Sequence, residues 1–422
     1  MAAHVCIFED DRFSDFLPLV HFRPVFDLRC GIFTLREKIA RAYPGASISL
    51  ACRTELAPVV RNRSPKIPIN TVPGSPCLFV NGRIIADSKL AKKIPLASKQ
   101  NIVYTRNGQI AAVFAQGELL QRIIGHLPQP LSLEMFDGLP RVETDVEMAS
   151  YPWDLVHNNG DQIRSDYESI VKAMGKKPHI RGTLHPGVHI LGKKHVVIGE
   201  GSVLKPGTVI DAEEGPVYIG KNVQVLPQAV ITGPAAIMDS SLVKAGAQIY
   251  GNTTIGPVCK VGGEIEGSIV HGYANKQHAG FLGHSYLGEW VNLGADTNTS
   301  DLKNNYGTVK VQMADRQIDT GLSFVGLTMG DHSKSAINSM FNTGTVVGVC
   351  SNIFSAGFPP KYVPSFTWGG EHPAEYEIEK ALAVARKVVA RRNVEFTDAD
   401  EALFRTVFAR TEEDRRRFGI VQ

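Results

Sequence analysis

The sequence predicts three structural classes in one chain of 422 residues: an α/β sheet domain, a three-sided coil of parallel β-strands, and a helical tail. Three observations predict them. Short apolar runs alternate with helix-like stretches up to about residue 178, the pattern of a sheet layered with helices. From Ile198 to Val261 an aliphatic residue returns at every sixth position. Beyond Pro359 and Pro360 the apolar spacing becomes that of amphipathic helices. A chain of this length exceeds one comfortable core, so the expected units are 1–178, 179–360 and 361–422.

In the first unit, strands are expected at Val5 to Phe8, Ile48 to Cys52, Leu78 to Val80, Ile102 to Tyr104 and Ile110 to Phe114. Helices are expected at Thr34 to Tyr43, where Thr34 and Glu37 have capping-box spacing, and at Glu118 to His126. Ligands of open sheets gather at strand carboxyl ends, which draws attention to the acidic loop Glu9, Asp10 and Asp11 after the first strand. Gly175 to Lys177, followed by Pro178, reads as a linker.

The coil rests on Ile198, Leu204, Ile210, Ile219, Val225, Ile231, Ile237, Val243, Ile249, Ile255 and Val261, with one interruption at Glu214 and Gly215. Neither a 3.6-residue helix nor strand alternation produces a period of six. Short strands that each turn one aliphatic inward, joined at Gly, Asn and Pro corners, do produce it. The beat resumes at Leu282, Leu287 and Leu293, and again at Val325, Asp331, Ile337, Thr343 and Val349. The least repetitive stretch, from Gly262 to Lys310, concentrates His, Lys and Asn, as insertions that build sites on solenoids do. In the tail, Ile378, Leu382, Ala385 and Val389 share a helical face, Thr397 and Asp400 have capping-box spacing, and Arg415 to Arg417 read as a solvated end.

Forty-five Lys plus Arg against 42 Asp plus Glu leave a net charge of +3, which gives no electrostatic case for a nucleic-acid partner. The six cysteines have no metal-ligand spacing and read as buried thiols of a reducing compartment. No apolar run reaches membrane-span length and the acidic residues follow the first short apolar run, so neither a membrane partner nor a signal peptide is expected. The expected location is cytoplasmic.

The repeat resembles the hexapeptide-repeat, left-handed parallel β-helix. Leu17-Pro18-Leu19 with Arg23-Pro24, Phe79-Val80-Asn81-Gly82, and Tyr151-Pro152-Trp153-Asp154-Leu155 are similar to segments of sugar-1-phosphate nucleotidyltransferases. His278 to Thr297 resembles, without a gap, the acetyltransferase segment of the bifunctional uridyltransferase and acetyltransferase family that makes UDP-N-acetylglucosamine, in a Bacteroidetes-type variant. The resemblance implies a nucleotidyltransferase-like α/β domain joined to an acyltransferase β-helix. It implies N-acetylation of an amino-sugar-1-phosphate by acetyl-CoA, and Mg²⁺-assisted nucleotidyl transfer from an NTP to a sugar-1-phosphate. Related acyltransferases build sites between neighbouring coils, so a homotrimer is expected.

On this register His278 falls on the catalytic histidine, with His284 as a competitor and His271 as a weaker third. Asn292 falls on a sugar-phosphate contact and Ala295 on an acetyl-carrier backbone contact; Lys276 and Lys303 serve the acceptor phosphate, and Lys334 meets coenzyme A phosphates. Phe281 stands where the family has a tyrosine, and Asp301 replaces an asparagine. Arg23, Arg29, Lys38, Asn81 and Gly82 are the nucleotide-binding candidates, with Asp154 and Asn159 near the metal. Two departures concern the same unit: the acidic loop stands in place of a glycine-rich phosphate cradle, and Arg83 replaces the aspartate expected after Asn81-Gly82. Two alternatives remain: an acyltransferase whose first unit only binds a nucleotide sugar, and a non-catalytic β-helical scaffold.

Overall fold

The computed structural model describes residues 4–72, 76–370 and 372–420. These form two compact units, one built on Phe33–Tyr151 with the residues up to Arg29 and Asp398–Leu403, the other on Pro152–Thr397 with Cys30–Ile32 and the residues from Phe404. Packing therefore groups 152–178 with the coils, whereas the sequence boundary lies at 178.

The first unit is a six-stranded sheet of β1 (His4–Phe8), β2 (Ser47–Ala51), β3 (Cys77–Asn81), β4 (Ile102–Arg106), β5 (Gln109–Ala115) and β6 (Arg141–Glu143). The order is β2-β1-β3-β5-β4-β6, with β1 parallel to both neighbours and β5 antiparallel to β3. Val5, Cys6 and Ile7 in β1 are fully buried, which explains why this strand reads as an unbroken apolar run. Its helices are α1 (Leu35–Ala42), α2 (Ala57–Arg63), the short α3 (Leu90–Lys93) and α4 (Gly117–His126). The capping box ahead of α1 forms both bonds: Glu37 N donates to Thr34 Oγ1, and Thr34 N donates to Glu37 Oε2. The chain leaves β1 for β2 on one side and returns to β3 on the other, so the crevice of this sheet lies where Phe8 pairs with Asn81.

The second unit opens with α5 (Pro152–Met174), followed by a parallel β-solenoid whose strands stack in three sheets. Ile198, Ile219, Ile237 and Ile255 lie one above another in the nine-stranded sheet, with Val270, Leu287, Met329, Val347 and Val363 continuing the column. The predicted inward residues from Ile198 to Val261, and Leu282, Leu287 and Leu293, all belong to this core. Each buried aliphatic is worth about 1.5–3 kcal/mol relative to exposure.

The later coils keep the period but not the predicted phase. Met329, Ser335, Phe341, Val347 and Ile353 point inward, while Ile337 is 69% exposed at a corner. An insertion between Thr299 and Thr328 resets the count. It carries an antiparallel hairpin, Lys310–Gln312 against Gln317–Asp319, and a bridge between Leu302 and Phe324 closes its base. The early six-stranded sheet ending at Phe281–Gly283 stops there and the one ending at Asn275–Lys276 continues only through single bridges at Asn292 to Lys334, so the nine-stranded sheet alone runs past the insertion in full strands.

The tail forms α6 (Ile378–Ala390), α7 (Asp398–Arg410) and α8 (Glu412–Arg417). Leu382, Ala385 and Val389 bury the expected stripe of α6. Arg415 departs from the solvated reading: it is 1% exposed, donating to Glu375 Oε2 and Thr411 Oγ1 at 2.8 Å each. A guanidinium paired and stacked over Phe408 at 4.1 Å behaves as a packing residue.

Candidate functional site

At the β1/β3 crevice, the nucleotide candidate Asn81 and the two departures beside it, Asp10 and Arg83, are engaged with one another. Arg83, 0% exposed, donates from Nε to both Asp10 oxygens at 3.0 and 3.1 Å and from Nη2 to Asp10 Oδ2 at 2.7 Å. Its remaining donors reach Ala149 O and Gln109 Oε1, both at 2.7 Å. Asn81 Nδ2 donates to Asp10 Oδ2 and Ile110 O at 2.8 Å each, and Asn81 Oδ1 accepts from Arg83 N. Gly82 is glycine for space, since a Cβ there would stand 2.7 Å from the Phe26 Cβ. Glu9 is likewise paired with Arg53 at 2.9 Å.

The nucleotide-contact candidates lie deep. Arg23, Arg29 and Lys38 are all buried, and Arg23 Nη1 donates to Leu19 O at 3.0 Å. This set does not fit a divalent ion. The one carboxylate beside Asn81 already accepts from a fixed guanidinium, which supplies the positive charge that a metal would bring.

The two metal candidates are found in the second unit. Asp154 is half-buried in the first turn of α5, where its carbonyl accepts from Asn158 Nδ2 at 2.9 Å. Asn159 is fully buried and acts as a tie: Oδ1 accepts from Gly31 N at 2.7 Å and Thr254 Oγ1 at 3.1 Å, and Nδ2 donates to Asn252 O at 2.8 Å. No lone pair of its amide oxygen remains for a cation.

In the solenoid, the stretch from Asn275 to Asp301 brings several candidates together. Lys276 occupies an inward position, stacked on Val261 where every earlier rung carries an aliphatic, and is 2% exposed. Its Nζ donates to the Gly262 and His278 carbonyls at 2.9 Å each, and burial pushes its amine down to about 8. It therefore holds the backbone of the corner that bears His278, whose imidazole is exposed. Direct contact of Lys276 with an acceptor phosphate is not what this placement provides.

Strand Phe281–Gly283 separates the two predicted histidines, with His278 before it and His284 after it. His284 turns the corner in left-handed backbone at φ +41°. Its Nδ1 lies 2.8 Å from Asp301 Oδ2, and its ring packs against Phe324 at 5.0 Å and His157 at 5.8 Å. Asp301 and Phe324 both come from the base of the insertion, so the hairpin is what delivers the carboxylate. His157 comes from α5, and burial holds its imidazole below the usual histidine range. Sequence reading missed His157, because no local spacing links it to His284. His271 is buried, with Nδ1 3.1 Å from the Tyr286 hydroxyl.

Asn292 and Lys334 are adjacent rungs of one outward column. Lys334 Nζ donates to His332 O at 2.8 Å, and burial disfavours its charged form. Phe281 is half-buried and faces outward on its strand, its N–H donating to Asn298 Oδ1 at 2.9 Å. Ala295 is half-buried, its carbonyl accepting from Asn338 N at 2.8 Å. Lys303 closes its own loop through Nζ and the Thr308 carbonyl.

Residues 5–174 match the sugar nucleotidyl transferase family. The chain is 36% identical over 120 residues to a bifunctional protein GlmU of Rippkaea orientalis, covering 28% of this chain and 25% of that one. It is 32% identical over 167 residues to the GlmU of Acaryochloris marina, covering 39% and 31%. The chain thus spans about a quarter to a third of the length of these curated relatives. Among solved structures, a UDP-N-acetylglucosamine acyltransferase of Francisella novicida is 13% identical, covering 57% of this chain and 89% of that one, with a TM-score of 0.27. The sugar nucleotidyl transferase match thus covers residues 5–174 and leaves the solenoid and the tail outside it.

Proposed function

We propose that the chain is a sugar-nucleotide transferase whose solenoid transfers an acetyl group from acetyl-CoA to the amine of an amino-sugar-1-phosphate, in a pathway of the UDP-N-acetylglucosamine type. The observation that carries the reading is the corner at His278, exposed and held through its carbonyl by a lysine placed inside the coil. Attack of the neutral amine on the thioester carbon forms the N–C bond and breaks the C–S bond. His278 accepts the proton lost by the amine and returns it to the leaving thiolate. Asn292, on the outward column, orients the acceptor, and the backbone at Ala295 serves the developing oxyanion. The Asp301–His284 contact favours a second assignment, because a carboxylate on Nδ1 fixes the tautomer that leaves Nε2 as base.

Thiol release from acetyl-CoA over a panel of amino-sugar phosphates tests the reading. Loss of a general base costs about a hundredfold to ten-thousandfold in rate. His278→Ala is expected to lose that much kcat at saturating acceptor, while His284→Ala chiefly raises KM. The reverse pattern assigns the base to His284. No release with any acceptor leaves the non-catalytic scaffold.

For the first unit, the family match supports nucleotidyl transfer from an NTP to a sugar-1-phosphate. The Asp10–Arg83 contact favours the narrower reading, that this unit binds a nucleotide sugar and transfers poorly. Brisk pyrophosphate release from UTP and a sugar-1-phosphate would sink that narrower reading. The assembly we propose is a closed trimer, and a stable monomer in sedimentation at micromolar concentration is the contrary result.

A further inference from the structure

One outward column of the solenoid gathers cations, and none of its rungs from Leu242 to Lys334 bears a carboxylate. Leu242, Lys260, Asn275, Asn292 and Lys334 occupy successive rungs, each about 4.8 Å from the next. Lys244 follows the inward Val243 and so returns to the outer side, where it packs across Gly262; a Cβ on that glycine would stand 3.0 Å from the Lys244 Cβ. From the end of α6, Arg392 Nη2 donates to Asn275 Oδ1 at 3.0 Å, on the rung beside Lys260. Arg391 accompanies it. The Arg392 guanidinium, then burial, then Arg391 and Lys244 push the Lys260 ammonium down, and among the described residues no carboxylate offsets them.

Two parts of the fold thus bring like charges to one place. Cations at a helix C-terminus offset its dipole, which accounts for Arg391 and Arg392 where they stand. It does not account for Lys244 and Lys260, which the coils place opposite them. Like charges drawn together at a half-buried face lower each other's stability unless an anion lies among them. Asn275 adds direction: with Oδ1 accepting from Arg392, its Nδ2 is left as a donor on the same face.

We propose that Lys244, Lys260, Arg391 and Arg392, with the Asn275 amide, form a seat for a small ligand carrying a pyrophosphate-like group. Guanidinium and ammonium donors around a multiply charged phosphate make the strong, charge-assisted class of hydrogen bond. The seat stands on the coils and α6 alone, so it does not depend on the acyl-transfer reading.

Calorimetric titration of the full chain with inorganic pyrophosphate at several salt concentrations tests it. The expected result is one site per chain whose affinity falls with salt. Lys260→Gln and Arg392→Gln should each weaken it by about tenfold or more, Arg392→Lys should recover part of the loss, and Lys221→Gln, a cation elsewhere on the coils, should leave it unchanged. Thermal melts keep the test decisive. Pyrophosphate should raise the melting temperature of the native chain and not of Arg392→Gln, while ligand-free Lys260→Gln should melt no lower than the native chain. Should Lys260→Gln or Arg392→Gln fail to fold, Lys244→Gln, a change at the edge of the strand, takes its place. Absence of binding, or equal binding in all variants, overturns the seat. Binding by a chain inactive in acyl transfer upholds it while the acyl reading fails.

Discussion

The crevice of the sheet and the interrupted stretch of the solenoid use the same kinds of residue to opposite ends. At the crevice, Asp10, Arg83 and Asn81 satisfy one another until little capacity remains for a ligand. On the coils, an exposed histidine and a group of cations that no carboxylate among the described residues opposes remain. Composition alone does not separate these cases. What separates them is whether each donor and acceptor already has its partner, because a buried group pays for desolvation once and then stays with whatever compensates it.

Removing Arg83 should produce the largest effect. Arg83→Ala leaves the Asp10 carboxylate without its guanidinium, and breaking such a buried pair costs about 3–5 kcal/mol. Urea unfolding, fitted with separate transitions for the two units, is the measurement. A loss under about 1 kcal/mol would place the crevice in the same open class as the coils.

Lys276 should give the next effect, and it depends on pH. Its amine titrates near 8 in the folded chain against an ordinary 10.5. Between those values the unfolded chain binds more protons than the native one, so stability rises as pH climbs through that window and levels above it. Below about pH 8 the native state carries the full cost of an ammonium in the core, on the order of 3 kcal/mol for a depression of this size. Lys276→Met should remove that slope; an unchanged slope in the variant contradicts the assignment.

Asn159→Ala should cost about 1–3 kcal/mol, since it leaves the Gly31 N–H and the Asn252 carbonyl without their partners. Its stability loss should be the same with and without Mg²⁺. A loss that appears only with the metal present would restore Asn159 to the ligand set.

Ile337→Ala should be the smallest, within about 0.5 kcal/mol, as expected of an exposed corner. Phe341→Ala in the same coils serves as its contrast and should cost about 3–5 kcal/mol. Equal effects would mean that the late coils follow the phase counted from the sequence after all.

The strands, α1 with its cap, and the early coils were legible because each rests on a short-range period or a pair of residues close in sequence. Thr34 and Glu37 are three residues apart and form both expected bonds. The late coils were not, because Ile337 looks like an inward aliphatic while Ser335 and Phe341 hold the inward places, and the insertion hides the shift. In the candidate sites, residue identity was legible and engagement was not. Asn81 and Asn159 are the right type to hold a ligand, but their partners, Asp10 and Thr254, lie far away in sequence. His157 and Asp301 meet His284 only because a helix and an insertion converge on one corner.

The single sheet that runs unbroken past the insertion has a further consequence. A stacked solenoid is a one-dimensional array, in which each coil is stabilised by the neighbour above and below. Where the ladder at Phe281–Gly283 stops and the one at Asn275–Lys276 thins to single bridges through Asn292 to Lys334, the coupling between early and late coils rests mainly on the third. Cooperativity is therefore weakest at the seam that holds His278, His284 and Lys276, and local opening there needs less than opening of the uninterrupted coils. The early coils serve as a rigid rail, and the candidate chemistry occupies the joint where that rail can flex.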